Sequence, residues 1–573
     1  VSRNGALGPV CSNLRAGRLN LCGEAFDAVR VMVERLRRRD AAPLSPQCRF
    51  MVEFEGHESS GAGTTMGRAS SVNARPLAVI VAGLALLAPA ARAASPSDVA
   101  FVDRITWGAT PQSVAEFRRV GEARYLERQL HPAQGVALPP EVLARLQGFT
   151  AANSPMVNIA ITFEQTRKSV QAMTDPDKKK AANDDYYKEL ARLGREAQMI
   201  SLMRDIYSPD QLREQMTWFW MNHFSVFEGK RDIRTMIADY EENAIRSHAL
   251  GKFRDLLGAV AHHPAMLRDL DNDQNAANHI NENYARELME LHTMGVGSGY
   301  TQKDVEELAR VLTGLGVNVT SENPKVRPEL AEDYVRKGLF EFNPDRHDFG
   351  EKVLLGHKIK SRGVKEADEA LDILSREPAT ARYVSRKLAI YFVSDDPPPA
   401  LVERMAGTFQ RTDGDIAEVL KTLFTSPELK ASLGKKFKDP AHYSVSAVRL
   451  AYGGTPILNA QPVTGWLYRM SEPLYERQTP DGYPMTAAAW SGPGQLTLRF
   501  EIARGIGSGN AGLFKTEGPD PVDAPVYPEI ATALFMEGLD KTLRPATRKA
   551  LDQASTPREW NTLFLASPEF MHR

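Results

Sequence analysis

Residues 281–314 read NENYARELMELHTMGVGSGYTQKDVEELARVLTG, two helical patterns joined by a glycine-rich turn. At 100° per residue, a helix over 281–293 aligns Glu282, Arg286 and Glu290 on one stripe, with Asn283 and Glu287 beside it. Tyr284, Leu288 and Leu291 take the opposite face, and His292 falls at its edge. The second pattern opens at Thr301, an N-cap with Asp304 three residues on. It carries Val305, Leu308, Ala309 and Leu312 as an i, i+3, i+4, i+7 stripe and stops at Gly314. An apolar helix following so closely implies that the first is covered on both sides, so its charges are expected to face inward. Arg286 is then expected to be paired, because an unpaired buried guanidinium is costly. Gly295, Gly297 and Gly299 follow a helix and no strand, which removes the context of a dinucleotide-binding loop.

Working outward, helical periodicity dominates. Leu212, Met216, Phe219, Trp220 and His223 share one stripe, and Ile233, Ile237, Tyr240 and Ala244 another. The run DPDKKKAANDD at 175–185 is a solvated surface. One persuasive extended piece stands at 352–359, KVLLGHKI, where Gly356 turns a short hairpin. Pro397, Pro398 and Pro399 mark a loop, and LFTSPEL from Leu423 resembles LFLASPEF from Leu563, as if two subdomains closed alike with a boundary near 431–453. Residues 453–512 are rich in glycine, proline and aromatics, including ERQTPDGYPM at 476–485, which suggests long loops over a helical body, where binding usually resides. The expected fold is all-α: a large multi-helical array with a short β-hairpin near 352–359 and a loop-rich C-terminal part.

The first part of the chain reads differently. Through residue 93 there are twelve arginines and no lysine, and Cys11, Cys22 and Cys48 all fall there. From Met66 the pattern is that of a secretory signal: Arg68 and Arg75, an apolar run at 77–88, and Ala91-Arg92-Ala93 before the cleavage point. Residues 1–65 are therefore expected to be a spurious upstream extension, 66–93 a signal peptide, and 94–573 the working domain, exported to the periplasm or beyond. A genuine extension with an internal membrane anchor is the alternative, though the apolar run is short for a span. Beyond residue 93 the absence of cysteine excludes disulfides and thiolate chemistry, so any metal needs His, Asp or Glu ligands. A formal net charge of −1 argues against nucleic acid and anionic membrane as partners.

The helix pair also carries a family resemblance. NENYARELMELHTMG followed by GYTQKDVEELARVLTG closely resembles the exported bacterial proteins grouped as domain of unknown function 1800. The same family is resembled, in order, by FVDRITWGATP from Phe101, REQMTWFWMNHFSV from Arg213, AIRSHALGKFRDLLGAVAHHPAM from Ala244, FNPDRHDFGEKVLLG from Phe342 and RYVSRKLAIYFVSDDPPP from Arg382. Where the resembling proteins usually read LTGW, this chain has Leu315 after Gly314, which removes any role for a tryptophan there. The resemblance implies a fold and an export address more readily than a reaction. It also implies a partner, since such proteins are often encoded beside a sulfatase-like exported family, domain of unknown function 1501.

Candidate chemistry gathers on the first helix and one loop. Glu287 and Glu290, three apart, are adjacent on the helix and suited to acid–base work, with Arg286, Asn283 and His292 beside them. The segment NPDRHDFG at 343–350 has no periodicity, so an irregular loop carries Asp345, Arg346, His347 and Asp348. If that loop docks over the helix, His347 and Asp348 with Glu287, Glu290 and His292 make a His/carboxylate constellation for a divalent metal or an activated water. His223, amid an apolar stripe, reads as a hydrogen-bonded core histidine; His262 and His263 sit at a helix end, and His248 is open to either role. Gly297-Ser298-Gly299 lacks the strand of a nucleophile elbow. Two functions follow: an exported enzyme, a hydrolase using this constellation, or a noncatalytic exported scaffold or maturation partner of the sulfatase-like protein.

Overall fold

Proline, common in this chain with 36 residues, explains how an all-α protein tolerates it: it opens helices. The missing N–H and fixed φ suit the first helical position. Pro96, Pro111, Pro176, Pro427, Pro440 and Pro557 each follow a capping side chain, respectively Ser95, Thr110, Asp175, Ser426, Asp439 and Thr556, that accepts from the first turn. The computed structural model describes residues 95–133, 138–516, 522–532 and 538–573. The expected extension and signal peptide at 1–93 lie outside the described residues.

The array is all-α as expected, and two helices run through its middle. Gln211–His223 and Pro440–Tyr452 are buried on nearly every side, the signature of a helix without a solvent face. Residues 93–573 form one unit, and Pro440–Tyr452 passes through the stretch where the sequence suggested a subdomain boundary. The residues that follow the two similar segments pair with each other. Lys438 N–H donates to Met571 O at 2.9 Å, and Lys436 and Arg573 exchange backbone bonds at 3.1 and 2.8 Å.

Buried guanidiniums tie helix ends together. The last carbonyls of a helix have no partner within it. Arg104, fully buried, donates to Phe392 O, Ser432 O (2.7 Å) and Arg573 O (2.5 Å), the first two at the ends of Pro378–Phe392 and Pro427–Ser432. Arg449 donates to Gly108 O at 3.2 Å and to Asp205 O and Ile206 O at the end of Pro176–Tyr207. Burial lowers Arg104 to about 9 and Arg449 to about 10.

Strand content is small. The expected hairpin is present as β4 (Val353–Leu354) against β5 (His357–Lys358), closed by Leu355 and Gly356 with φ of 50° and 80°, the pair of positive φ that a type I′ turn requires. A three-stranded antiparallel sheet was not expected: β1 (Leu315–Val317), β2 (Val335–Lys337) and β3 (Phe340–Phe342), in the order β1-β3-β2. Leu315, the residue that replaces the resembling proteins' tryptophan, is buried in β1 opposite Phe342. Among the described residues no helix is long and apolar enough to cross a membrane.

The helix pair forms, with one correction of register and one of orientation. Gln302–Val311 has the Thr301/Asp304 capping box. The first helix is α-helical only over Asn283–Glu287; Leu288–Thr293 is a π turn, with Met294 N–H reaching Met289 O at 2.9 Å and Thr293 Oγ1 reaching Leu288 O at 2.7 Å. A π turn inserts a residue, so His292 swings from the edge into the core while Leu291 turns partly out. The charged stripe faces outward instead of inward. Arg286 is 38% exposed and bridges Glu282 (3.1 Å), Glu290 (3.5 Å) and Gln302 (2.9 Å), while Tyr284, Ala285, Leu288 and Met289 are fully buried beneath it. Half-exposed ion pairs contribute little. Arg286→Ala is therefore expected to change unfolding free energy by no more than about 1 kcal/mol, whereas Arg449→Met, which orphans buried carbonyls, should cost about 3 kcal/mol or more. Urea titration of the two variants checks the contrast.

Candidate functional site

The C-terminal turn of Gln211–His223 brings together three of the chain's motifs. Asn222 pairs with the ERQTPDGYPM loop as one strand would with another: its Oδ1 accepts from Tyr483 N–H at 2.6 Å and its Nδ2 donates to Tyr483 O at 3.0 Å. The approach is so close that a Cβ on Gly482, whose φ is +76°, would lie 2.1 Å from Asn222 O. Only glycine fits there. The loop is also held from within, by Arg477 to Asp481 (2.9 Å), Thr479 Oγ1 to Asp481 (2.5 Å) and Tyr483 OH to Pro473 O (2.8 Å). At its base Ser471 and Tyr475 adopt left-handed backbone, φ 65° and 61°, a strained conformation for side-chain-bearing residues.

Beneath this loop lies a cavity of about 40 Å³ with Trp218, Asn222, Glu241, Glu472, Tyr475 and Tyr483 in its wall. Glu472 is 1% exposed. Its Oε2 accepts from Ala441 N–H at 2.8 Å, and its Oε1 has no hydrogen-bond partner. Burial, reinforced by the nearby Asp439 carboxylate, raises the Glu472 carboxyl well above its ordinary value. Asp439 goes the other way: against burial, His442 (2.8 Å) and Arg573 hold it at about 2. Glu241 is raised by burial too, but Tyr475 OH donates to its Oε2 at 2.5 Å and Arg204 opposes the rise. The two carboxyls of the cavity thus sit in different environments, one without a donor on its free oxygen and one with.

Behind Asn222, on the side of the charged helix, is a second polar group. His223 Nε2 meets His292 O at 3.0 Å, so that nitrogen carries the proton and Nδ1 is left bare and without a partner. Both ring nitrogens of His292, 6.2 Å away by ring centre, are unpartnered and fully buried. The neighbouring Lys387 amine lies 5.6 Å above the Tyr383 ring; burial lowers it to about 8, with Asp481 of the loop opposing. Asp481 and Glu290 also reinforce the burial that raises Glu287.

The residues expected to form the site are therefore dispersed in role. Glu287 faces Asp481, Glu290 and Arg286 are joined in the surface ion pairs, and Asn283 Nδ2 donates to Leu270 O at 3.1 Å. His292 is in the core. The His347–Asp348 loop docks on the second helix of the pair, not the first. His347 is enclosed by Thr313 O (2.8 Å) and Glu366 Oε1 (3.1 Å), and Asp348 grips Arg310 at 2.7 Å. Both nitrogens of His347 and the carboxylate of Asp348 are thereby occupied within the protein. Among the described residues no group of three or more His, Cys, Asp or Glu side chains is arranged to hold a metal ion. Of the expected constellation, His347, Asp348 and Glu290 have protein partners, whereas His292 is buried with both ring nitrogens unpartnered. Sequence reasoning missed Glu241, Glu472, Asn222 and Lys387. The one available signal was the loop composition around ERQTPDGYPM.

A family model described as "Protein of unknown function (DUF1800)" matches residues 100–572. The chain belongs to this family. No curated protein and no solved structure matches it. Two of the blocks that carry the DUF1800 resemblance, WFWMNHFSV and NENYARELMELHTMG, meet at His223 and His292.

His292 makes the electrostatics testable. Burial, with Lys387 adding to it, holds the imidazole at about 3, below the value near 6.5 of an unfolded histidine. As pH falls the unfolded chain takes up this proton first, so the contribution is intact above about pH 6.5 and is lost progressively toward about pH 3. His223 is displaced in the same direction. His292→Leu should flatten the acid decline of stability in urea titrations from pH 7 to 4. An unaltered slope would count against a neutral buried His292.

Proposed function

We propose that the protein is an exported hydrolase whose carboxyl pair, Glu472 and Glu241, works under the 472–485 loop. The carrying observation is the unpartnered Oε1 of Glu472 on the cavity wall. A carboxyl whose burial is reinforced by a neighbouring carboxylate suits a general acid, and one whose burial is opposed by a hydroxyl donor and a guanidinium is better suited to act as the base. Glu472 passes its proton to the leaving oxygen as the scissile C–O bond breaks. Glu241 takes a proton from water as the water oxygen bonds to the carbon, and exchange with solvent resets both groups. A cavity of about 40 Å³ takes a water molecule. The organic substrate enters when the loop lifts from Asn222, a gating step of a familiar kind. Trp218, Tyr475 and Tyr483 favour a neutral substrate with an apolar face, such as a glycoside or ester, over a phosphoester. Export rests on the leader-like residues 66–93.

One specific observation favours a second reading, a noncatalytic scaffold or maturation partner of a sulfatase-like exported protein. The charges at 281–293 and 345–348 are closed into pairs or hydrogen bonds with little left over. The readings separate on Glu472. A protonated buried carboxyl absorbs in the infrared apart from carboxylates, so the difference spectrum between the wild type and Glu472→Gln at pH 7 should contain that band. Turnover of neutral aryl glycosides or esters should fall by about 10²-fold or more in Glu472→Gln and in Glu241→Gln, with melting temperature retained. No protonated carboxyl, or hydrolysis indifferent to both substitutions, removes the enzyme reading and leaves the scaffold.

A further inference from the structure

A separate, larger cleft opens on the far side of Tyr383. It has a volume of about 790 Å³ and is formed by residues 294–298, by the helix Pro378–Phe392 and by residues 396–403. This is the size of a small-ligand site. Arg382 and Arg386, one helical turn apart, stand on one wall; Asp396 and Glu403 stand on another. All four are exposed, and none makes an ion pair or side-chain hydrogen bond with a described residue. That departs from the rule around them. Asp395, next to Asp396, pairs with Lys436 at 2.6 Å, and Arg404, next to Glu403, pairs with Glu428 at 2.7 Å. Opposite charges that line one cleft without pairing leave both signs open to a ligand, and a ligand that engages all four carries both signs. The turn at 294–298 adds a hydroxyl: Ser298 Oγ is buried without a hydrogen-bond partner in the same cleft. Beside it Val296 is 75% exposed, an apolar contact at the rim.

We propose that this cleft binds a short peptide as a zwitterion, its carboxylate on Arg382 and Arg386 and its ammonium on Asp396 and Glu403. Two guanidiniums a turn apart can grip one carboxylate by paired N–H donors. A polyanion is disfavoured by the acidic wall and a polycation by the basic one. The site lies apart from Glu241 and Glu472, so it stands or falls independently of the hydrolase reading.

Isothermal titration of the purified protein with tri-alanine, N-acetyl-tri-alanine and tri-alanine amide tests the proposal. Tri-alanine should bind saturably in the millimolar range, and blocking either end should weaken it by about tenfold or more. The double variant Arg382→Gln/Arg386→Gln should bind tri-alanine as weakly as wild type binds the amide, and Asp396→Asn/Glu403→Gln as weakly as wild type binds the acetylated form. All four side chains are at the surface, so unchanged melting is expected and serves as the folding check. Equal binding of the three ligands, indifference to both double variants, or no saturable binding of tri-alanine overturns the assignment.

Discussion

Everything in this helical array hangs on a few guanidiniums that were taken out of water. A helix leaves its final carbonyls without donors, and an array of many helices buries many such ends. Arg104 and Arg449 answer several at once across hundreds of residues of sequence, Arg104 at the ends of two helices and Arg449 at two carbonyls ending a third. The charge suits the place, because a cation at a helix C-terminus also complements the macrodipole. Arg573 repeats the device, donating to Tyr391 O at 2.8 Å and to Gln215 at 3.1 Å. The core is therefore not an oily interior with stray polar groups in it. It is a framework of apolar helices whose joints are ionic.

A framework of that kind can also hold carboxyl groups in unusual states. Near His442 and Arg573 the Asp439 carboxyl is held low; a short way off, at Glu472, burial reinforced by Asp439 outweighs the Ala441 N–H and Arg499 and raises the carboxyl. The same contrast separates the two faces of Asn222. On one side lie carboxyls in a water-sized cavity, on the other bare imidazoles and a lysine amine. One loop, clamped by two hydrogen bonds to a single asparagine, covers both.

Much of this could be read from residue order, and what could not be read has a physical reason. The helix over Gln302–Val311, its capping box and the hairpin at 353–358 follow from local chemistry alone, and they appear where the pattern put them. His223 is the hydrogen-bonded core histidine that its stripe indicated. The π turn at 288–293 breaks the 3.6-residue period, with the Met294 and Gly295 amides both reaching Met289 O, so a 100° wheel drawn past Leu288 misplaces His292. Strands of three residues are too short for alternation to register. The outward turn of Glu282, Arg286 and Glu290 reflects which neighbour covers the helix, and periodicity says only that one side is covered. Glu241 and Glu472 carry no motif at all. Their interest comes from desolvation, a property of the assembled fold, and the composition of the loop above them was the only trace in the sequence.

The backbone pairing of residues 436–438 with 571–573 is a closure of very long range. Arg573 supplies a carbonyl that Arg104 needs and a guanidinium that rests 4.7 Å from the Tyr391 ring centre. Until those residues are present, Arg104 sits at an open joint, with its near end and its far end more than four hundred residues apart. The array is thus closed by contacts between the two most distant parts of the described sequence, and one buried guanidinium makes the junction.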